Sequence, residues 1–364
     1  MLRSFSHLGG ATLIGSAAAT ASVASPAVHN GNPKIHWRMT SSFPKSLDTL
    51  YGTAEYMAQE VFKMTDGNFK ISVFAAGELA PALGALDVTS NGAVDACHTT
   101  SYYYVGKNEA FALATTIPFG LNARQQNAWL NFGGGNAALK PLFDNYNIIP
   151  VVTGNTGTQM GGWLKREIRT ADDIKGLKMR IGGLAGQVFS ALGGIPQQIP
   201  GTDIYPSLEK GVIDGAEWVG PYDDEKLGFH KVAPFYYYPG WWEGNAAIHS
   251  FFNKDSYAKL PAHYKAILHA ACAKATEYML ARYDILNPPA LRRIVASGTV
   301  LKKYSKDVLL KFNEASHDIY STISAKNPLF ADIFAKHEAF RKETSLWHRF
   351  AEAHFDHFMM NDAL

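Results

Sequence analysis

Leu86-Asp-Val-Thr-Ser-Asn-Gly92-Ala-Val94-Asp95-Ala96 and Leu208-Glu-Lys-Gly211-Val-Ile213-Asp214-Gly215 carry one pattern, repeated about 120 residues apart. Each reads as a helix closed by Gly, then a hydrophobic residue, an Asp and small residues that open a strand. Gly closes such a helix because, lacking Cβ, it enters the left-handed conformation without a clash. The echo predicts the same strand–helix–strand unit in each half of the chain. Two such units imply two α/β lobes with a cleft between them, the competing reading being a chance likeness of two short turns.

Working outward, strand and helix signals alternate. Ile35-His-Trp-Arg-Met-Thr-Ser41 and Phe69-Lys-Ile-Ser-Val-Phe74 alternate apolar and polar residues, as half-buried strands do. Further short strands are expected at Val94–Cys97, Ile148–Thr153 and Lys178–Ile181, with helices over Leu47–Met64 and Leu79–Thr89. This order predicts an α/β architecture with mostly parallel sheets, and a two-lobe repeat of this kind is what a periplasmic-type binding protein would be expected to carry. After Asn253 the chain turns helical, over Pro261–Tyr283, Ser305–Ser324 and Pro328–Met359. The expected organisation is a first lobe over residues 33–154, completed by part of 250–300, and a second over 155–249, completed by part of the C-terminal region. Residues 305–364 form C-terminal helices. Their tail carries Trp347, Phe350, Phe355, Phe358, Met359 and Met360, which require burial on the lobes or against a second subunit.

The first 27 residues differ from the rest. Arg3 is followed by the small, uncharged run Leu8–Ala24 and by small residues at Ser22-Val-Ala24 and Ser25-Pro-Ala27, as an export signal with its cleavage site requires. The single Arg leaves the export route open. Over 364 residues, 47% are hydrophobic and 18% charged, enough for two cores, and the net charge of +2 gives no basis for a nucleic-acid partner. Cys97, in an apolar strand, and Cys272, in an Ala-rich helix, read as two buried thiols, with a disulfide between them left open.

Common enzyme signatures are absent: no Gly-x-Ser-x-Gly elbow, no phosphate loop and no His-Glu-x-x-His. Gly182-Gly-Leu-Ala-Gly186 lacks the full dinucleotide pattern and reads as close helix packing, and Gly133-Gly-Gly135 reads as a turn. His348, His354 and His357 read as solvated or packed rather than as a metal site.

A carboxylate-binding set remains. Arg180 ends a strand that enters a Gly-rich turn, where a planar guanidinium can grip a carboxylate through two parallel hydrogen bonds. Glu217-Trp218 follows the second echo unit, at a strand end that faces a cleft in an open α/β lobe. Phe235-Tyr-Tyr-Tyr-Pro-Gly-Trp-Trp-Glu243-Gly-Asn245 joins aromatic walls to one acid. Asn155 and Gln159 follow the Ile148–Thr153 strand, and Tyr102-Tyr-Tyr104 holds the equivalent position in the first lobe.

Taken together, Thr158-Gln-Met-Gly-Gly-Trp163, Leu177-Lys-Met-Arg-Ile-Gly-Gly183, Val212-Ile-Asp-Gly-Ala-Glu-Trp218 and Tyr236-Tyr-Tyr-Pro-Gly-Trp-Trp-Glu243 resemble the solute receptors of tripartite ATP-independent periplasmic (TRAP) transporters. The resemblance spans nearly all of the chain after the leader. It is greatest for the branch that binds 2-oxo acids such as pyruvate, with a lactate-binding branch nearby. It implies two α/β lobes joined by crossing strands and a long spanning helix, a periplasmic location, and small and large integral-membrane subunits as partners. It further implies that Arg180 pairs with the ligand carboxylate and that Tyr102 and Tyr103 wall the substrate. A sodium or calcium ion would be held by the side chains of Gln159 and Glu217 and the carbonyl of Trp218, with Glu243 and Asn155 making further ligand or cation contacts. Homodimers by exchange of a C-terminal helix are also implied.

Charge supports that inheritance. A Glu beside a bound carboxylate would repel it unless a cation lay between them, and an all-oxygen shell suits a hard cation rather than zinc. The rival reading is an enzyme using Glu217 or Glu243 as a base beside a metal. No activated nucleophile or acid–base partner is visible for it, so a non-enzymatic receptor is expected.

Overall fold

The computed structural model describes residues 32–363, so the expected export signal lies outside the described residues. The strands are β1 Ile35–Ser41, β2 Phe69–Phe74, β3 Ala96–Thr100, β4 Ile148–Asn155, β5 Trp163–Leu164, β6 Lys178–Arg180, β7 Ile195–Gln197, β8 Gly215–Ala216, β9 Phe235–Tyr238, β10 Ala247–Asn253 and β11 Val300–Lys303. They form two sheets, a five-stranded one in the order β2-β1-β3-β10-β4 and a six-stranded one in the order β11-β9-β5-β8-β6-β7. Both echo units adopt the expected form. Gly92 and Gly211 close their helices at φ +79° and +74°, and β3 and β8 follow.

The sheets are mixed rather than mostly parallel. β10 runs antiparallel to β3 and β4, and β5 antiparallel to β8 and β9, while the other pairs are parallel. The antiparallel strands flank the two places where the chain passes between sheets. One crossing runs from β4 to β5 and the other from β9 to β10, and they lie side by side, with Thr156 N donating to Ala246 O (3.1 Å) and Gln159 N to Glu243 O (3.1 Å). Asn155 and Glu243 thus arise from paired crossings that local periodicity does not reveal.

A third connection is the helix Ala262–Ala296, 35 residues and roughly 50 Å long. Its buried side chains, among them Tyr264, Leu268, Cys272, Met279, Tyr283 and Ile294, recur at helical spacing along its whole length. Gly154 of β4 admits it closely, since a Cβ there would lie 2.4 Å from Met279 Cε. The expected end at Tyr283 is exceeded because the helix continues through Pro288-Pro289, with Ala290 and Ile294 still buried. Conversely, the expected helix over Leu79–Thr89 shrinks to Ala85–Ser90 after a 3-10 turn at Ala82–Gly84, and the final helix breaks at Ala351 into Pro328–Phe350 and Glu352–Asn361.

One core fills the space between the five-stranded sheet, helix Leu50–Met64 and the long helix, through Trp37, Met39, Met57, Phe69, Tyr264 and Leu268. Another joins the six-stranded sheet to helices Gly183–Ala191 and Lys306–Lys326, through Met179, Val188, Phe189, Tyr304 and Phe312. Cys97 and Cys272 are free and buried, and burial pushes both thiols up to about 12. Among the described residues no helix is long and apolar enough to cross a membrane. His354 and His357 are exposed on the last helix, whose Phe355, Phe358 and Met360 are exposed as well.

Candidate ligand-binding site

β6 delivers Arg180 to its carboxyl end, and the neighbouring β8 delivers Glu217 just past its own. Glu217 N donates to Arg180 O at 3.1 Å, so both side chains emerge at the same sheet edge. Both are 1% exposed. Arg180 Nη1 donates to Glu217 O at 3.0 Å and to the Glu217 carboxylate, while Nε donates to Ile199 O at 3.2 Å. Gly182 N caps the same carboxylate oxygen, Glu217 Oε1, at 3.0 Å. The guanidinium carbon stands 5.0 Å from the centre of the Trp218 ring, a cation–π contact.

The opposing wall comes from the turn after β3. The Tyr102 ring lies on the Gly182-Gly183 backbone, where a Cβ on Gly182 would come within 2.9 Å of Tyr102 Cε2 and Gly183 adopts φ +62°. Only glycine satisfies both demands. Gln198 Nε2 donates to Tyr103 O at 3.0 Å, a hydrogen bond from one half to the other. The halves are therefore closed on each other over a small cavity lined by Phe43, Leu50, Tyr102, Gln159, Arg180 and Trp218, with Tyr103, Thr156 and Ile248 among its other walls. A second, smaller hollow shares Tyr102 and includes Gly182, Trp242 and Glu243. A larger surface groove between helix Leu50–Met64 and β2 is open, and its charged side chains Glu55, Lys63 and Lys70 are all exposed.

The electrostatics are unusual for an interior. Burial opposes the charge on Arg180, but Glu217 and the other groups around it outweigh burial and raise its pKa. Burial raises the Glu217 carboxyl, against the pull of Arg180. Burial also pushes Glu243 well above the ordinary carboxylate range. Glu217 adds to that rise, while Tyr102, Arg180 and Gln159 oppose it. Tyr103 is pushed up to about 12 by burial, with Arg180 again opposing. Two buried acids thus face one buried base.

Three buried oxygens of this set, Gln159 Oε1, Glu217 Oε2 and Glu243 Oε2, have no hydrogen-bond partner. Gln159 is turned that way because its Nε2 donates to Thr156 Oγ1 at 3.0 Å. Buried polar atoms rarely stay unpartnered, and a convergence of carboxylate and amide oxygens is the donor set of a hard cation. Among the described residues no three His, Cys, Asp or Glu side chains cluster as a metal site, so such an ion would depend on amide and carbonyl oxygen besides the two carboxylates.

The structure brings Arg180, Glu217, Trp218, Gln159, Tyr102, Tyr103 and Glu243 together. It does not add Asn155. The Asn155 carboxamide donates to Asn245 Oδ1 (3.1 Å) and Asn127 Oδ1 (3.4 Å) and accepts from Gly157 N (3.0 Å), so its polar atoms are engaged by the crossings. Asn155 ties the two crossings together. Sequence reasoning missed Phe43, Leu50, Thr156 and Ile248. Only Thr156 had a local signal, its place between Asn155 and Gln159.

Two α/β halves closed over a buried arginine and two acids define a solute receptor, and residues 40–327 match the bacterial extracellular solute-binding proteins, family 7 (DctP). The chain belongs to that family, one of transport receptors rather than enzymes. It is 49% identical over 331 residues, 91% of each chain, to a monocarboxylate 2-oxoacid-binding periplasmic protein of a Nostoc strain. A TRAP transporter solute-binding protein from Bordetella bronchiseptica is 48% identical, with a TM-score of 0.89 over 90% of this chain and 98% of that one. Its crystal structure is a mixed-occupancy dimer with copurified calcium and picolinate in one site and none in the other. A TRAP periplasmic solute-binding protein from Pseudoalteromonas atlantica, with bound sodium and pyruvate, is 34% identical, with a TM-score of 0.86 over 88% and 98% of the two chains.

Proposed function

We propose that this chain is the extracytoplasmic receptor of a TRAP transporter that captures a small 2-oxo monocarboxylate, pyruvate or a near homologue, together with sodium or calcium, and delivers it to small and large membrane subunits. The observation that carries this reading is the buried Arg180 set against two buried carboxyls and three unpartnered oxygens. Arg180 pairs with the ligand carboxylate. Gln159 Oε1, Glu217, Glu243 and the Trp218 carbonyl hold the cation, and Tyr102 and Tyr103 close over the ligand. With both acids ionised, as a bound cation would hold them against burial, they and the ligand outnumber Arg180 by two, which calcium cancels fully and sodium by half. Such a small ligand offers little apolar area, so its affinity depends on charge-assisted bonds in a closed, dry cleft. The small-residue run ahead of residue 28 serves export to the periplasm. The aromatic tail beyond Leu346 supports a homodimer, since its exposed apolar side chains need a cover.

Calorimetric titration of refolded, ligand-stripped protein with pyruvate, 2-oxobutyrate and lactate, each with sodium, calcium or a chelator, tests this. Tight, cation-dependent binding of a 2-oxo acid without turnover is expected. A preference for lactate would move the chain to the hydroxy-acid branch, and silence toward every acid under every ion would remove the ligand assignment.

A further inference from the structure

Helix Pro221–Leu227 follows directly on Glu217–Val219 and carries two adjacent buried carboxyls, Asp223 and Asp224, that the ligand site does not use. Asp224 faces the six-stranded sheet. It accepts from Trp163 Nε1 (2.9 Å), Tyr236 Oη (2.6 Å) and Val219 N (3.4 Å), and so pins the backbone just beyond Trp218. Asp223 faces away, accepting from Thr49 Oγ1 at 2.6 Å and from Tyr283 Oη at 2.7 Å. Thr49 belongs to the other half, in the connection from β1 to helix Leu50–Met64, and its neighbour Leu50 lines the cavity. Tyr283 belongs to the long helix. Asp48, next to Thr49, accepts from Tyr222 Oη at 3.1 Å, from Arg282 Nη2 at 2.6 Å and from Lys226. Both halves and the spanning helix therefore meet on one two-residue step.

We infer that Asp223 and Asp224 form a closure register: a pair of positioning residues that couples contact between the lobes to the geometry of the Glu217–Val219 segment. Separation of the lobes withdraws Thr49 from Asp223 and exchanges that bond for water; closure excludes the water, so the carboxyl then depends on the Thr49 donor. The half-exposed Asp48 cluster adds screened ion pairs that contribute less. Because Asp224 holds the adjacent backbone, the closed state is also the one in which Trp218 and Glu217 are aligned. The inference rests on the receptor reading, since it takes the closed cleft as the ligand-bound state.

Thr49→Val deletes only the hydroxyl that crosses between lobes, and Thr49→Ser keeps it. Pyruvate binding in the presence of calcium is measured on the full chain by calorimetry and stopped-flow dissociation, alongside the melting temperature of the ligand-free protein. In Thr49→Val, Kd is expected to rise about tenfold through faster dissociation, with Thr49→Ser within about twofold of wild type. Dissociation at the wild-type rate in Thr49→Val would overturn the inference, as would a Thr49→Ser variant as impaired as Thr49→Val, because packing alone would then explain the effect. Failure of the wild type to bind any 2-oxo acid would overturn the receptor reading and this inference with it, whereas unaltered binding by Thr49→Val beside a binding wild type overturns the inference alone.

Discussion

Replacing Arg180 is the most demanding test of the proposed site. Its guanidinium is 1% exposed and bonds Glu217 twice and Ile199 O once, leaving the rest of the fork for a ligand carboxylate. Arg180→Ala removes the two charge-assisted hydrogen bonds that Nη2 can still offer the ligand oxygens, each about 1.5–3 kcal/mol, so the expected loss is about 3–6 kcal/mol, or roughly 10²- to 10⁴-fold in Kd. It also strands Glu217, and leaving one member of a buried pair alone costs about 3–5 kcal/mol unless the carboxyl takes up a proton. A second variant separates these effects. Arg180→Lys keeps the charge near Glu217 but loses the fork, so it should fold like the wild type and bind roughly 10- to 100-fold more weakly. The assay is calorimetric titration with pyruvate and calcium, with melting curves to establish that each variant is folded. A folded Arg180→Ala that binds within about threefold of the wild type would refute the assignment of Arg180 to the ligand carboxylate, because no other buried cation lines the cavity.

Glu217→Gln keeps an acceptor for Arg180 and Gly182 but removes one negative charge, so binding should persist weakly while its stimulation by calcium or sodium disappears; an unchanged response to a chelator would remove Glu217 from the cation shell. His98 of β3 is fully buried with neither ring nitrogen hydrogen-bonded, and burial, aided by His249, pulls its pKa down to about 3. The unfolded chain therefore takes up this proton below about pH 6.5 while the folded chain does not, so stability drops on acidification by about 1.4 kcal/mol per pH unit, or about 2–3 kcal/mol at pH 4.5. Urea unfolding of His98→Leu at pH 7.5 and 4.5 should show that much less acid sensitivity than the wild type, and parallel profiles would contradict it. Truncation after Ser345 removes Trp347, Phe350, Phe355 and Phe358, which are 57–67% exposed, and should convert a dimer to a monomer by light scattering with pyruvate binding retained; an unaltered mass would exclude the tail as the interface.

Much of the architecture is legible in the chain itself. β1 and β2 have the limits that alternation predicts, because a two-residue period is a local property of a half-buried strand. The echo units are legible for the same reason: Gly92 and Gly211 end their helices wherever the remainder of the chain lies. Arg180 and Glu217 could be singled out because each sits at the end of a recognisable strand. Tertiary structure decided the rest. The antiparallel entry of β10 and β5, the pairing of Gln159 with Glu243 across two crossings, and the seating of Tyr102 on Gly182-Gly183 join residues about 50 to 150 positions apart. Neighbouring side chains carry no trace of such contacts. For the same reason the partners of Asn155 are not legible: Asn127 and Asn245 take its carboxamide, and no local pattern shows them. Local geometry determines which residues reach the cleft edge, and only the meeting of the two halves determines which of them face the ligand.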